Sequence, residues 1–237
     1  MLSGLSSSSD LSVDQLLEKF SSGSSRQERS LIPAVEKAAD QLAAMGAAAL
    51  APFDREGDDW AAGWILQTLH RHQPSALSSL LDASGGWFVT GSESDLDYSP
   101  LQQALLEERF EEADRLTSAF LRQLAGEQAE RRGYVYFSEV LSMRGLDLVT
   151  LDRLWIAYSQ GRFGFTVQAR LLATFNGRYD KLWPRIGWKK EGVWTRYPKA
   201  FDWSLKAPEG HMPLVNQLRG IRLIDALLNH PSLVARQ

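Results

Sequence analysis

The sequence predicts an all-α fold in two parts: an N-terminal helical bundle at residues 1–90 and a C-terminal all-helical domain at residues 95–237. Apolar residues recur three or four positions apart along most of the chain, which is the spacing of helices that bury one face. Clusters of serine, glycine, proline and asparagine separate these segments, as expected for turns. A length of 237 residues, with 44% hydrophobic and 23% charged, is ordinary for a globular protein of one large or two smaller domains.

The first part contains four predicted helices. They cover residues 11–20, 27–50, 58–70 and 74–81. Each keeps apolar side chains on or near one face, and Pro33 lies near the start of the second helix, where proline is tolerated. Glycine, serine and acidic residues then replace the periodic pattern at residues 85–97, which favours a linker between the two parts.

The second part begins with a helix-start signal. Ser99 supplies a capping hydroxyl, Pro100 suits the first helical position, and Gln102 stands three residues after the cap. The helix or helix pair that follows runs to Leu124, and Gly126 is a suitable stop. Its acidic residues are interpreted as a solvated face; they are Glu107, Glu108, Glu111, Glu112 and Asp114. Further helices are predicted at residues 137–143, 148–158, 165–175, 179–186 and 214–229.

The two halves of the chain differ in charge, although the whole carries a net charge of only −3. Residues 1–143 contain 11 lysines and arginines against 22 aspartates and glutamates, whereas residues 144–237 contain 15 against 7. A basic C-terminal half beside an acidic N-terminal one indicates an anionic ligand or partner for the basic half.

The segment at residues 183–213 concentrates aromatic side chains and is too rich in glycine and proline for one regular helix or strand. Six aromatic residues fall within 21 positions: Trp183, Trp188, Trp194, Tyr197, Phe201 and Trp203. Five cations are interleaved with them: Arg185, Lys189, Lys190, Arg196 and Lys199.

Three interpretations of this aromatic segment stand side by side. Rigid rings stack on flat apolar groups, and arginine or lysine binds carboxylates, so a macrocycle with carboxylate groups fits. Single-stranded nucleic acid fits the same residue types. In the third interpretation no ligand binds, because the aromatic residues form the core of an irregular domain and the cations form its solvated rim.

The sequence favours a binding protein over an enzyme. The chain has no cysteine, which excludes disulfides, thiolate nucleophiles and cysteine-ligated metals. Its four histidines are not spaced as metal ligands, and the nucleophile-elbow and phosphate-loop motifs are missing. Without a long apolar run or a basic and apolar leader, the sequence predicts a soluble protein that acts where it is made.

Several stretches of the second part carry a family resemblance. They are FEEADRLT at residues 110–117, LDRLWIAYSQGRFGFTVQARLL at residues 151–172, and RIGWKKEGVW with LKAPEGHMP within residues 185–213. Together they resemble the genomes-uncoupled-four family, the porphyrin-binding regulators of magnesium chelatase, over about residues 95–232. The resemblance implies an all-helical core shaped like a cupped hand, which holds protoporphyrin IX and its magnesium derivative on an apolar surface.

The resemblance also implies which residues face the ligand. The walls are expected among Trp188, Trp194, Tyr197, Phe201 and Trp203, with Phe137 on the floor. The polar edge is expected at Asn216, Arg219 and Arg222, which recur every three residues along one helix edge. His211 is interpreted as a turn residue, with axial ligation of magnesium as the alternative.

The family's motif residues are expected to serve turn chemistry and core packing rather than ligand contact. They include Trp155, Tyr158, Ser159, Gly161, Arg162, Phe163, Gly164, Phe165 and Gln168.

The function implied by the resemblance is regulation without catalysis. The protein is expected to bind protoporphyrin IX or Mg-protoporphyrin IX, to engage the large porphyrin-binding subunit of magnesium chelatase, and to raise chelation efficiency in chlorophyll biosynthesis. No intrinsic cofactor, metal site or nucleic-acid partner is expected. The expected location is cytoplasmic, with peripheral association with photosynthetic membranes as an option. The alternative is a helical module that binds single-stranded nucleic acid or acts as a scaffold.

Overall fold

The regular secondary structure of the protein is almost all helical in a computed structural model, which describes residues 11–215 and 221–237. Its α-helices are α1 (Val13–Ser22), α2 (Ser25–Lys37), α3 (Ala39–Met45), α4 (Trp60–His72), α5 (Pro74–Ser78), α6 (Ser99–Leu106), α7 (Phe110–Ala125), α8 (Glu127–Arg132), α9 (Gly145–Ala157), α10 (Phe165–Thr174), α11 (Tyr179–Arg185), α12 (Arg222–Leu228) and α13 (Pro231–Val234). Short 3-10 helices cover Gly46–Leu50 and Phe137–Ser142. The predicted all-α class is confirmed.

The described β structure is one small hairpin inside the aromatic segment. Strand β1 (Lys189–Lys190) pairs antiparallel with β2 (Val193–Trp194), so that Lys189 lies opposite Trp194. Gly192 adopts φ +81° in the two-residue turn between the strands, a conformation that glycine enters at low cost. None of the described helices combines the length and the apolar character needed to cross a membrane.

Two predicted helices differ from the observed ones. The single helix expected at residues 27–50 is divided at Ala38, and Gly46, with φ +55°, ends α3 before the 3-10 turn. The helix expected at residues 214–229 is described only from Arg222, where α12 begins; Leu214 lies outside a helix, and its amide donates to the Asp114 carboxyl. Residues 216–220, with Asn216 and Arg219 among them, lie outside the described residues.

The segment at residues 85–97, expected as a linker, packs against the helices. Trp87 and Phe88 are buried, and their amides donate to the side chain of Gln102 in α6. The buried carboxylate of Asp147 accepts hydrogen bonds from Ser92, Glu93, Ser94 and Tyr98. One continuous hydrophobic core includes residues from both sides of this segment. The division at residues 1–90 and 95–237 stays a prediction from the sequence, and both parts contribute to one hydrophobic core.

Helix α4 approaches α9 closely where the two helices cross. A Cβ atom built on Gly63 would lie 1.9 Å from the carbonyl oxygen of Ala157, so the helices meet backbone to backbone. One turn further on, the buried amide of Gln67 donates to the carbonyl oxygens of Leu105 at 3.0 Å and Tyr158 at 2.9 Å. Since buried carbonyl groups without partners are costly, Gln67 stabilises the ends of α6 and α9.

The two ends of the turn between α9 and α10 are buried, as expected for the family's motif residues, while Gly161 and Arg162 in its middle are half-buried. Trp155, Tyr158, Phe163 and Phe165 are all fully buried. The Ser159 hydroxyl accepts the amides of Arg162 and Phe163 at 3.2 and 2.9 Å, which satisfies the backbone inside the turn.

The α9–α10 turn also fixes the end of the aromatic segment. The side-chain Nε2 atom of Gln168 in α10 donates to the carbonyl oxygens of Gly210 at 3.0 Å and Pro213 at 2.9 Å. The Gly164 amide donates to Met212 from the other side. Residues 210–213 are therefore held against α10, and these contacts determine the position of the next residue, Leu214.

The contact at Gly63 generates a stability prediction. Gly63→Ala should lower the free energy of unfolding by about 1–3 kcal/mol, because the added methyl group forces α4 and α9 apart. The roughly 1 kcal/mol that alanine gains over glycine in a helix offsets only part of this loss. Urea denaturation followed by circular dichroism measures the change.

Ala44→Leu is a suitable control, because Ala44 is exposed on α3 and the change adds more volume there. We expect it to change the free energy of unfolding by less than about 0.5 kcal/mol. A Gly63→Ala protein as stable as the parent would show that the two helices do not approach this closely.

Candidate functional site

A cavity of about 320 Å³ lies between α7, the chain after α8, the aromatic segment and the chain around α12. Its lining residues are Asp114, Arg115, Ser118, Leu121, Arg122, Gly133, Tyr134, Val135, Tyr197, Leu214, Val215 and Leu223. The walls come from four separate stretches of chain, which the fold brings together.

Helix α7 provides one wall because its two faces have different roles. Phe110, Ala113 and Thr117 face the core, where the indole nitrogen of Trp155 donates to the Thr117 hydroxyl at 2.9 Å. Residues 114, 118, 121 and 122 recur at helical spacing on a neighbouring face and line the cavity. One helix therefore anchors the core and presents a mixed face of carboxyl, hydroxyl, leucine and arginine to the cavity.

Opposite α7, the walls are mostly apolar. Gly133 ends α8 in the left-handed conformation, φ +80°, and the chain that follows places Val135 against the cavity. Leu214 and Leu223 line it from the two sides of the undescribed residues 216–220. Such a surface suits an apolar ligand face.

Asp114 is the buried carboxyl group of this cavity. It accepts a hydrogen bond from the Leu214 amide at 2.6 Å and another from the Tyr197 hydroxyl. Burial raises the pKa of Asp114 to about 7, although both hydrogen bonds act to lower it. The prediction that Asp114 belongs to a solvated acidic face is wrong, because only 1% of the residue is exposed.

Tyr197 is the predicted wall residue that lines the cavity. Its ring packs edge-on against Phe201 and Trp203, with centroids 5.9 and 5.8 Å apart. Burial raises the pKa of its hydroxyl to about 12, and the neighbouring Asp114 acts in the same direction. The outer side of Tyr197, together with Trp203, lines a second and more open cleft beside Glu111.

Other predicted wall residues lie behind or beside the cavity. Trp188 is 1% exposed, stacks on Trp183 at 5.5 Å and donates its indole N–H to the His211 carbonyl oxygen. Phe201 is also buried, against the His211 ring at 4.8 Å. Trp194 lies on the hairpin with the Lys189 ammonium 4.4 Å from its ring centroid. Trp188 and Phe201 therefore support the aromatic segment from the core side.

The predicted floor and polar edge are partly brought together. Phe137 is 45% exposed, and the Arg222 guanidinium lies 5.3 Å from its ring centroid. The 3-10 helix that carries Phe137 packs against α12, which carries Arg222. Asn216 and Arg219 fall outside the described residues.

His211 lies in the core rather than in the cavity wall. Its Nδ1 atom is 2.7 Å from the carbonyl oxygen of Ile186, and burial lowers its pKa. Its Nε2 atom is buried without a hydrogen-bond partner in the described part of the chain. Residues 11–215 and 221–237 contain no group of three or more histidine, aspartate or glutamate side chains arranged to hold a metal ion.

Most of the apolar lining of the cavity is not recognisable in the sequence. Leu121, Val135, Leu214 and Leu223 resemble ordinary core residues, and only the fold shows that they surround a cavity. A usable signal was present in α7, since the spacing of Asp114, Ser118 and Leu121 places a carboxyl, a hydroxyl and a leucine on one face.

More than half of this chain is similar in sequence to known proteins. The sequence profile of the family described as GUN4-like matches residues 91–231. The Ycf53-like protein of Synechocystis sp. is 45% identical over 173 residues, which cover 72% of this chain and 74% of that protein. The chloroplastic tetrapyrrole-binding protein of Arabidopsis thaliana is 35% identical over 144 residues, which cover 57% of this chain and about half, 54%, of that protein.

Solved structures show the same relationship. GUN4 from Chlamydomonas reinhardtii is 36% identical with a TM-score of 0.58, and the match covers 62% of this chain and 93% of the solved one. Ligand-free GUN4 from Arabidopsis thaliana is 36% identical with a TM-score of 0.54, covering 61% of this chain and 99% of the solved one. The profile match over residues 91–231 and these structural matches identify this chain as a member of the GUN4-like family.

Proposed function

We propose that this chain binds a tetrapyrrole, protoporphyrin IX or its magnesium derivative, in the cavity between α7 and Tyr197. The observation that carries the proposal is an apolar cavity with arginines among its lining residues, in a chain 35% identical to a protein named for tetrapyrrole binding. An apolar ring gains free energy when it leaves water, and arginine pairs with carboxylates through two parallel hydrogen bonds.

The size and rim of the cavity support a flat ligand that is partly enclosed. Its volume of about 320 Å³ lies at the lower end of small-molecule sites. Exposed apolar side chains also lie on the 3-10 helix that packs against α12, where Leu141 is 74% exposed and Phe137 is 45% exposed. A macrocycle would insert one edge beside Leu121 and Val135 and lay its remaining face on this outer surface.

Arginines are the proposed partners of the ligand's carboxylates. Arg115 and Arg122 line the cavity from α7. Arg222 lies over the ring of Phe137, which is the predicted floor residue. Arg219 and Asn216 remain proposed members of the same polar edge. Stacking would supply most of the affinity, and the charge pairs would fix the orientation of the ring.

In this proposal the chain regulates magnesium chelatase and does not catalyse a reaction. It would deliver or receive the porphyrin at the large porphyrin-binding subunit of the chelatase and raise the efficiency of chelation in chlorophyll biosynthesis. Family membership supports this role. We propose that it does so in the cytoplasm, with peripheral association with photosynthetic membranes.

The alternative of a single-stranded nucleic-acid binder is less well supported. A relative 35% identical to this chain is named for tetrapyrrole binding, whereas Trp188 and Phe201, two of the rings expected to stack on bases, are buried. Nucleic-acid affinity would also fall steeply as salt concentration rises, whereas a ring held by one or two charge pairs would respond weakly.

Filling the cavity should abolish porphyrin binding. Ser118→Phe places a phenyl ring where the ligand would insert, and we expect the affinity for a soluble dicarboxylic porphyrin to fall at least tenfold, which is about 1.4 kcal/mol. Quenching of intrinsic tryptophan fluorescence during a porphyrin titration measures the affinity, because neither this change nor its control alters the eight tryptophans.

Ala119→Phe is the matched control for Ser118→Phe. It adds a phenyl ring to the next residue of α7, which does not line the cavity. We expect near-parental affinity for this protein. Equal affinities for both variants and the parent would place the porphyrin elsewhere and overturn the proposed site.

Removing the polar edge should weaken binding of the carboxylate form of the ligand only. Arg219→Ala combined with Arg222→Ala should lower the affinity for a dicarboxylic porphyrin about tenfold, the usual effect of losing a hydrogen bond to a charged group. Affinity for the dimethyl ester of the same porphyrin should stay unchanged, since the ester has no carboxylate to pair.

Arg26→Ala combined with Arg178→Ala is the control for charge, because both arginines are exposed and lie outside the cavity lining. If the Arg219 and Arg222 variant bound acid and ester as the parent does, the assignment of these arginines to the carboxylates would be wrong.

A further inference from the structure

Asp114 is an unusual group for an apolar cavity. Its carboxyl group is 1% exposed, and it ties together two walls that are far apart in sequence. Tyr197 reaches it from the aromatic segment, and the Leu214 amide reaches it from the chain that leads to α12. Both donors therefore depend on one ionisable group for their hydrogen bonds.

The charged groups around Asp114 do not neutralise it. Glu111, one turn earlier on α7, adds negative charge and raises the pKa of Asp114 further. Arg115 and Arg122 line the cavity from the same helix, and Tyr134 lines it from the chain after α8. In the described residues no salt bridge reaches Asp114. The segment that supplies Leu214 adds an amide dipole without a charge.

Both protonation states of Asp114 are accessible near neutral pH. Burial raises its pKa to about 7. The ionised form accepts from Tyr197 and Leu214. The neutral form can still accept the Leu214 amide through its carbonyl oxygen, while its own O–H donates to the Tyr197 oxygen. The two walls can therefore stay connected when the proton moves.

A bound ring would change the balance between these two states. An apolar ring replaces water in the cavity that Asp114 lines, and the lower polarity around the buried carboxyl group disfavours its ionised form. Carboxylates on the ligand add negative charge and act in the same direction. By linkage, a ligand that binds better to the protonated protein drives uptake of a proton.

We propose that Asp114 takes up a proton when a ring occupies the cavity, so that ligand binding becomes weaker as pH rises. This inference rests on the proposed function and adds a positioning residue to that site. Asp114 acts through Tyr197 and Leu214, which it holds, and through its negative charge, which disfavours the bound ring until the carboxylate takes up a proton.

The test compares the parent with Asp114→Asn, which keeps the size of the side chain and cannot ionise. Titration calorimetry with a soluble dicarboxylic porphyrin, in two buffers of different ionisation enthalpy, counts the protons taken up. At pH 8 the parent should take up close to one proton more than Asp114→Asn, and at pH 5.5 the two should agree. Parental affinity should fall at least fivefold more than that of the variant between pH 6 and pH 9.

Asp180→Asn is the matched control, because Asp180 is exposed on α11 and outside the cavity. It should show the parent's pH profile. Tyr197→Phe provides a second variant, since it keeps the ring and removes one donor to the carboxylate. In this variant the inflection in the plot of porphyrin affinity against pH should lie at higher pH than in the parent. The reason is that losing a hydrogen bond to the ionised form raises the pKa of Asp114.

The possible outcomes separate this inference from the proposed function. Absence of saturable binding by the parent at every pH overturns both. Saturable binding with the same proton count and pH profile in the parent and Asp114→Asn overturns the inference alone. A purely structural role of Asp114 would lower the variant's affinity by one factor at all pH values, and that result also overturns it.

A measurement without ligand checks that Asp114→Asn is folded and that Asp114 titrates. The folded-state pKa is above the unfolded value of 3.8, so the folded protein binds more protons between about pH 4 and pH 7. The group's contribution to stability is therefore fully present below pH 4 and is lost as pH rises through about 7. Thermal unfolding of Asp114→Asn should therefore show no loss of stability from this group between about pH 4 and pH 7. A loss of stability equal to that of the parent over this pH range contradicts the inference.

Discussion

The buried turn between α9 and α10 is the constraint on which the candidate site depends. A buried turn must satisfy its backbone groups internally, and the Ser159 hydroxyl does this for two amides. Asp152 accepts the amide and hydroxyl of Thr166 at the start of α10. With α10 fixed in this way, Gln168 can hold residues 210–213, and the position of Leu214 follows. The cavity wall is thus set by polar groups that never touch it.

The aromatic segment combines two of the interpretations that its sequence left open. Trp183, Trp188 and Phe201 are buried, as expected for the core of an irregular domain. Tyr197, 46% exposed, faces the cavity and is joined to that core through its packing on Phe201. A rigid aromatic layer therefore supports a smaller number of accessible rings, which lowers the entropy lost when a ligand binds.

Local patterns predicted the helices well, but they could not predict the cavity. The start of α6 near Ser99 and the burial of Phe163 and Phe165 follow from the placement of Pro100 and from apolar spacing in the sequence. The predicted capping role of Ser99 is wrong, because Ser99 is the first helical residue, makes no capping hydrogen bond, and donates its amide to the Asp97 carboxyl. Asp114 could not be assigned in the same way, because its neighbours Glu111 and Glu112 make α7 resemble a solvated helix. The group that buries it, Leu214, lies 100 residues further along the chain. The division of residues 27–50 was missed for a related reason, since an alanine-rich helix pattern does not show where the chain bends.

The contact of Gly63 and Gln67 with α9 and α6 has a consequence for the evolution of this architecture. The family profile begins at residue 91, and 61% of this chain accounts for 99% of the ligand-free Arabidopsis structure. A protein without the first part must cover the carbonyl oxygens of Leu105 and Tyr158 by other means, or expose them to water. The first part can therefore be gained or lost in evolution only together with the groups that cover these two carbonyl oxygens.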